Sequence, residues 1–73
     1  MNAYIELNSF IKIRGLASTG GQAKLLIRSG KVLVNGSPET RNKRKLSAGD
    51  RVEVEGKEHV VSQDLVLKRP AAR

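Results

Sequence analysis

The hydrophobic spacing of this chain changes character at Gly30. Before it apolar residues recur three and four apart; after it they crowd together and then alternate. Such a switch calls for helices first and a sheet after them. Leu7, Phe10 and Ile11 stand at i, i+3 and i+4, on one side of a short helix that Asn8 or Ser9 can cap and Gly15 can end. Ser18 and Thr19 offer caps for a second helix with the apolar stripe Ala23, Leu26 and Ile27. Gly30 then occupies the left-handed position that often follows a helix.

Beyond Gly30, Val32, Leu33 and Val34 lead into Asn35-Gly36, a pair that tolerates the positive φ angles of a two-residue hairpin turn. The return strand, Ser37 to Thr40, contains Pro38, which cannot donate to a ladder and so belongs at an edge or a strand start. Arg41-Asn42-Lys43-Arg44-Lys45 reads as an exposed loop, because adjacent cations repel one another. After an Ala48-Gly49-Asp50 turn, Arg51 to Glu55 alternates charge with Val52 and Val54, which face inward. Gly56-Lys57 is the expected turn into a strand at His59-Val60-Val61, and Leu65-Val66-Leu67 is read as one further strand. Lys68 to Arg73 is expected to form a flexible tail.

The expected architecture is therefore α+β, two short N-terminal helices on a small, mostly antiparallel sheet, forming one domain over residues 1–67. Seventy-three residues with two aromatics leave room for one thin core and for no large substrate cavity. No cysteine is present, which excludes disulfides and thiolate metal sites. No apolar run has the length of a membrane span, and the first residues lack the pattern of a signal peptide, so the cytoplasm is the expected compartment.

Charge narrows the class of partner. The formal net charge is +7, and its distribution is uneven. From Met1 to Lys45 nine basic residues face only Glu6 and Glu39, whereas from Leu46 onward five basic and five acidic residues cancel. A surplus confined to one part of the chain suits a binding face for a polyanion. On the second helix Gly21, Lys24 and Arg28 lie opposite the apolar stripe, where the two cations either track phosphates or remain an ordinary solvated face. Gly20-Gly21 at the start of that helix is either a phosphate-approach point or a flexible turn. Lys31 and the Arg41 to Lys45 run belong to the same basic stretch, Met1 to Lys45. Single-strand readers stack bases on aromatic side chains, so the scarcity of aromatics favours folded or double-stranded RNA read through shape and phosphates.

The inventory for catalysis is poor. His59 is the only histidine, and it alternates within a strand pattern. Glu53 and Glu55, expected on one face, have no companions suited to acid-base work or a metal cage. The chain is read as no enzyme, with no cofactor and no metal.

From Gly15-Leu16-Ala17-Ser18 through Val32-Leu33-Val34-Asn35-Gly36, with Leu26, Ile27, Gly30 and Ala48-Gly49-Asp50, the sequence resembles the S4-like RNA-binding domain family, with its αL motif. Gly20 to Lys24 and Glu39 to Leu46 resemble the small free-standing bacterial subgroup, the YbcJ/YaaA-like proteins. The resemblance implies RNA binding, to ribosomal or transfer RNA; a monomer is expected. Lys24 and Arg28 match basic positions on the family's second helix, Lys12 matches one on the first, and Arg41 to Lys45 match its cationic loop. Where many members have an arginine, this chain has Gly20, which puts transfer of that contact in question. The expected RNA contacts are Lys12, Gln22, Lys24, Arg28, Lys31, Arg41, Lys43, Arg44 and Lys45, with Gln22 hydrogen-bonding to a sugar or base edge. The rival expectation is an adaptor docking an acidic protein in a ribosome-associated assembly; non-specific DNA binding shares the same electrostatics.

Overall fold

The computed structural model describes residues 4–67. In chain order its elements are β1 (Ile5–Glu6), α1 (Leu7–Ile13), α2 (Gly20–Arg28), β2 (Val32–Val34), β3 (Ser37–Pro38), β4 (Lys45–Leu46), β5 (Arg51–Val54), β6 (Lys57–Val60) and α3 (Gln63–Leu67). The α+β architecture matches the expectation. The tail expected from Lys68 to Arg73 lies outside the described residues.

Helix α2 starts and stops on local chemistry. Thr19 Oγ1 accepts from the Gln22 N–H at 3.1 Å, and Gln22 Oε1 accepts from the Ser18 hydroxyl at 2.6 Å and the Ser18 N–H at 3.2 Å. This reciprocal cap satisfies donors that the first turn of a helix cannot satisfy internally. At the other end Ser29 caps and Gly30 follows at φ +82°, a conformation that costs a residue with a Cβ far more than it costs glycine.

Helix α1 is capped from a distance. Neither Asn8 nor Ser9 caps its start, contrary to expectation: Glu6 is the N-cap, with no side-chain hydrogen bond, and Asn8 Oδ1 accepts from the neighbouring Ser9 N–H. The first two amides instead find backbone acceptors in the basic segment. The Leu7 N–H donates to the Arg44 carbonyl at 2.8 Å and the Asn8 N–H to the Asn42 carbonyl at 3.1 Å. A helix of seven residues is marginal by itself and depends on this tertiary cap and on packing.

The larger sheet has the order β3-β2-β5-β6, antiparallel throughout. Asn35 (φ +53°) and Gly36 (φ +86°) form the expected hairpin turn. Asn35 also ties that turn to the next strand: its Oδ1 accepts from the Arg51 N–H at 2.9 Å and its Nδ2 donates to Asp50 Oδ1 at 3.2 Å. Pro38 sits on edge strand β3, as expected. The register Val32↔Val54 and Val34↔Val52 turns all four valines to one face, where they meet Phe10 and Ile11 of α1 and Ala23 and Ile27 of α2 in a single core.

Further expectations are corrected. Leu65 to Leu67 belong to helix α3, not to a strand; Ser62, Gln63 and Asp64 give the segment a polar first turn, and its short apolar run has no decisive period. Lys45 lies in β4, which pairs with β1 in a two-stranded ladder that local patterning did not announce. The hairpin between β5 and β6 turns at Glu55 (φ +54°) and Gly56, so Lys57 already belongs to β6. Glu55 therefore does not share the strand face of Glu53. Leu26 is half-buried at the edge of the core.

Candidate nucleic-acid interface

The basic segment is organised around an acid. Glu39, which follows edge strand β3, is only 7 % exposed and is the one buried charged residue among the described residues. Its N–H donates to the Val32 carbonyl at 2.9 Å, extending the hairpin by one rung and fixing where the side chain departs. Arg41 grips the carboxylate from one side, with Nε to Oε2 at 2.9 Å and Nη2 to Oε1 at 3.3 Å, and its backbone N–H donates to Oε2 at 3.0 Å. Arg44 Nη1 donates to Oε1 at 2.6 Å.

These contacts favour the ionised acid strongly. The Arg41 side-chain hydrogen bonds, reinforced by the Arg41 N–H, by Arg44 and by the Arg41 charge, lower the Glu39 pKa to about 2 against the opposing effect of burial. The same pairing raises the Arg41 pKa. Since the folded pKa lies below the ordinary value of 4.5, the associated stability is fully present above pH 4.5 and is lost as pH falls towards 2. Arg41 remains 73 % exposed and screened by solvent, so a loss of about 1–2 kcal/mol is expected. Melting curves across that window should show the wild type falling more steeply than Glu39→Gln, whose amide does not titrate; parallel curves would exclude the linkage.

The loop is thus held at both sides, by Glu39 below and by the first turn of α1, which its carbonyls cap. The expectation of a freely solvated run of cations is corrected: Arg44 is only 31 % exposed, because Glu39 compensates its charge. Lys43 is exposed, and Lys45 Nζ lies 5.1 Å from the centroid of the Tyr4 ring, a cation–π distance. Arg41, Lys43, Arg44 and Lys45 line an open cleft of about 460 Å³. Within this loop the buried Asn42 Oδ1 has no hydrogen-bond partner among the described residues.

The other expected contacts lie outside the cleft lining. Lys24 and Arg28 are exposed on α2, on the side away from the buried Ala23 and Ile27; Lys12 is exposed on α1 and Lys31 just before β2. Gln22 is exposed, but its amide oxygen is already used at Ser18, leaving only the Nε2 donors for a ligand. Among the described residues a Cβ at Gly20 would meet nothing within 4 Å, and one at Gly21 only the Thr19 hydroxyl at 3.9 Å. Helix α1 connects the two regions, since it packs on α2 and receives the loop at its N-terminus. Sequence reasoning missed Glu39 as a part of this site. Its lone negative charge beside four cations was the available signal, but burial and pairing are not visible in a linear pattern.

Among the described residues no group of three His, Cys, Asp or Glu side chains could hold a metal ion, and no helix is long and apolar enough to cross a membrane.

The S4 domain family matches residues 1–62. The chain is a member of the S4 domain family. Its sequence is similar to that of the "Probable ribosome maturation protein RlbA" of Bacillus subtilis (strain 168), with 44 % identity over 52 residues, or 71 % of this chain and 73 % of that protein. It is also similar to the "Putative RNA-binding protein YbcJ" of Escherichia coli (strain K12), 40 % identical over 53 residues, which cover 73 % of this chain and 76 % of the other. The solution structure of YbcJ from E. coli, described as having an αL motif involved in RNA binding, superimposes with a TM-score of 0.64 and 35 % identity over 85 % of this chain and 78 % of that one. The fold of this S4 domain is thus the αL arrangement of helices against a short loop and sheet.

Proposed function

We propose that this S4 domain is a non-catalytic RNA-binding protein that recognises structured RNA, ribosomal or transfer RNA, through its basic loop and the exposed face of α2. The observation that carries the reading is the cleft of Arg41, Lys43, Arg44 and Lys45, held in place by a buried carboxylate and by the start of α1. A site ordered before binding avoids part of the entropy cost of ordering long cationic side chains. The names of its relatives add support, one pointing to ribosome maturation and one to RNA binding. The cytoplasm is the proposed compartment. Lys12, Gln22 through its Nε2 donors, Lys24, Arg28 and Lys31 complete the proposed contact set.

Crosslinking in cells followed by sequencing of the attached RNA tests this directly. Enrichment at defined positions of ribosomal or transfer RNA is the expected result. Absence of enrichment, together with partners that survive nuclease treatment, would transfer the basic face to an acidic protein. Duplex RNA should also outcompete duplex DNA of equal length, and equal affinity would remove the RNA preference.

A further inference from the structure

We propose that Glu39 is a specificity-determining positioning residue, which fixes two guanidinium groups so that the cleft prefers phosphates held at set spacings by folded RNA over those of a flexible strand. The inference rests on the RNA-binding reading above. Judged by charge alone, an acid in this place is a disadvantage for binding a polyanion: it reduces the cleft's four cations to a net three. It is nevertheless buried, ionised and held by two arginines, so beyond its share in stability its contribution to binding is geometric.

The geometry is specific in what it spends and what it leaves. Arg41 commits its Nε and Nη2 edge to the carboxylate, and Arg44 commits Nη1. Each guanidinium retains N–H donors, now aimed by the pairing rather than free to rotate. Arg41 is exposed enough to use them. Lys43, by contrast, forms no ion pair among the described residues and carries a point charge on a flexible stem. The cleft thus contains two kinds of cation, one that follows any phosphate and one that demands a position. A folded RNA has already fixed the spacing of its phosphates, whereas a flexible strand must lose conformational freedom to match fixed donors, and where it does not match it meets the repulsion of Glu39.

The test uses the full chain, a hairpin RNA and an oligouridine of equal length, with affinity followed by fluorescence anisotropy. Glu39→Gln keeps the size of the side chain but removes its charge and replaces one of its two acceptor oxygens with a donor NH2, which breaks the fork, so it is expected to tighten binding of the oligouridine about threefold. The hairpin should gain nothing, and the hairpin preference should shrink. Arg41→Lys keeps the charge but cannot form the fork; it should lose hairpin preference without tightening the oligouridine, and it carries the test if Glu39→Gln fails to fold. The Arg41 Nε–H resonance reports the fork itself and should shift in Glu39→Gln. An unchanged preference in folded variants that have lost the fork overturns the inference, as does equal weakening on both RNAs. A wild type that binds neither RNA refutes the RNA-binding reading itself.

Discussion

Replacing Phe10 with alanine is expected to bring this domain close to unfolding at ordinary temperature. Phe10 is fully shielded from solvent and is the largest fully buried side chain, placed on α1 where the two helices meet the valine face of the sheet. Removing a buried phenylalanine side chain costs about 3–5 kcal/mol, the lost transfer energy together with the cavity left behind. A chain of this length has a total stability of roughly 4–11 kcal/mol, so one substitution consumes a large share of it. Leu25→Ala is the control, since Leu25 is 72 % exposed on the opposite side of α2 and should alter stability by no more than about 0.5 kcal/mol. Urea titration of both variants gives the comparison. A Phe10→Ala loss below about 1 kcal/mol would mean that the helices do not close over the sheet as described.

A double substitution in the loop has the largest expected effect on binding. Lys43→Ala with Lys45→Ala removes the two cleft cations that do not pair with Glu39 and leaves the fork of Arg41 untouched. Each lost phosphate contact lowers the slope of log affinity against log salt by about 0.9 on a duplex, so two should flatten it by about 1.8 and weaken binding roughly 10–60-fold near 0.1 M salt. Lys24→Ala with Arg28→Ala examines the helix face in the same assay. If α2 shares the groove, this pair also weakens binding across RNA sequences and flattens the salt dependence; unchanged affinity in a folded variant would confine the interface to the loop. A loop double variant that keeps its affinity would remove the cleft from the proposed site.

The two halves of the site differ in how far a linear pattern could reveal them. Lys24 and Arg28 share a face because both lie within nine residues of one helix, so their geometry follows from the helical repeat. The Asn35-Gly36 turn, the ends of α2 and the inward valines of β5 are equally local, and each was legible because its cause lies within a few residues. The segment from Leu65 to Leu67 defeated the same reasoning, being too short for its period to separate strand from helix.

The amino-acid sequence by itself determined helices α1 and α2, the β2–β3 hairpin, the buried faces of α2 and β5, and the concentration of positive charge in the first 45 residues. Only the tertiary structure decided what that charge could do. The β1–β4 ladder brings Ile5 and Glu6 to Leu46 and Lys45, far away in the chain, and the α1 amides to the carbonyls of Asn42 and Arg44. The hairpin of β2 and β3 carries Glu39 under Arg41 and Arg44. Periodicity records which way a side chain points from its own element, but desolvation and pairing depend on which distant segments fold over it. For that reason Glu39 reads in the sequence as a minor offset to a basic run, and in the folded protein as the group that holds the run in place.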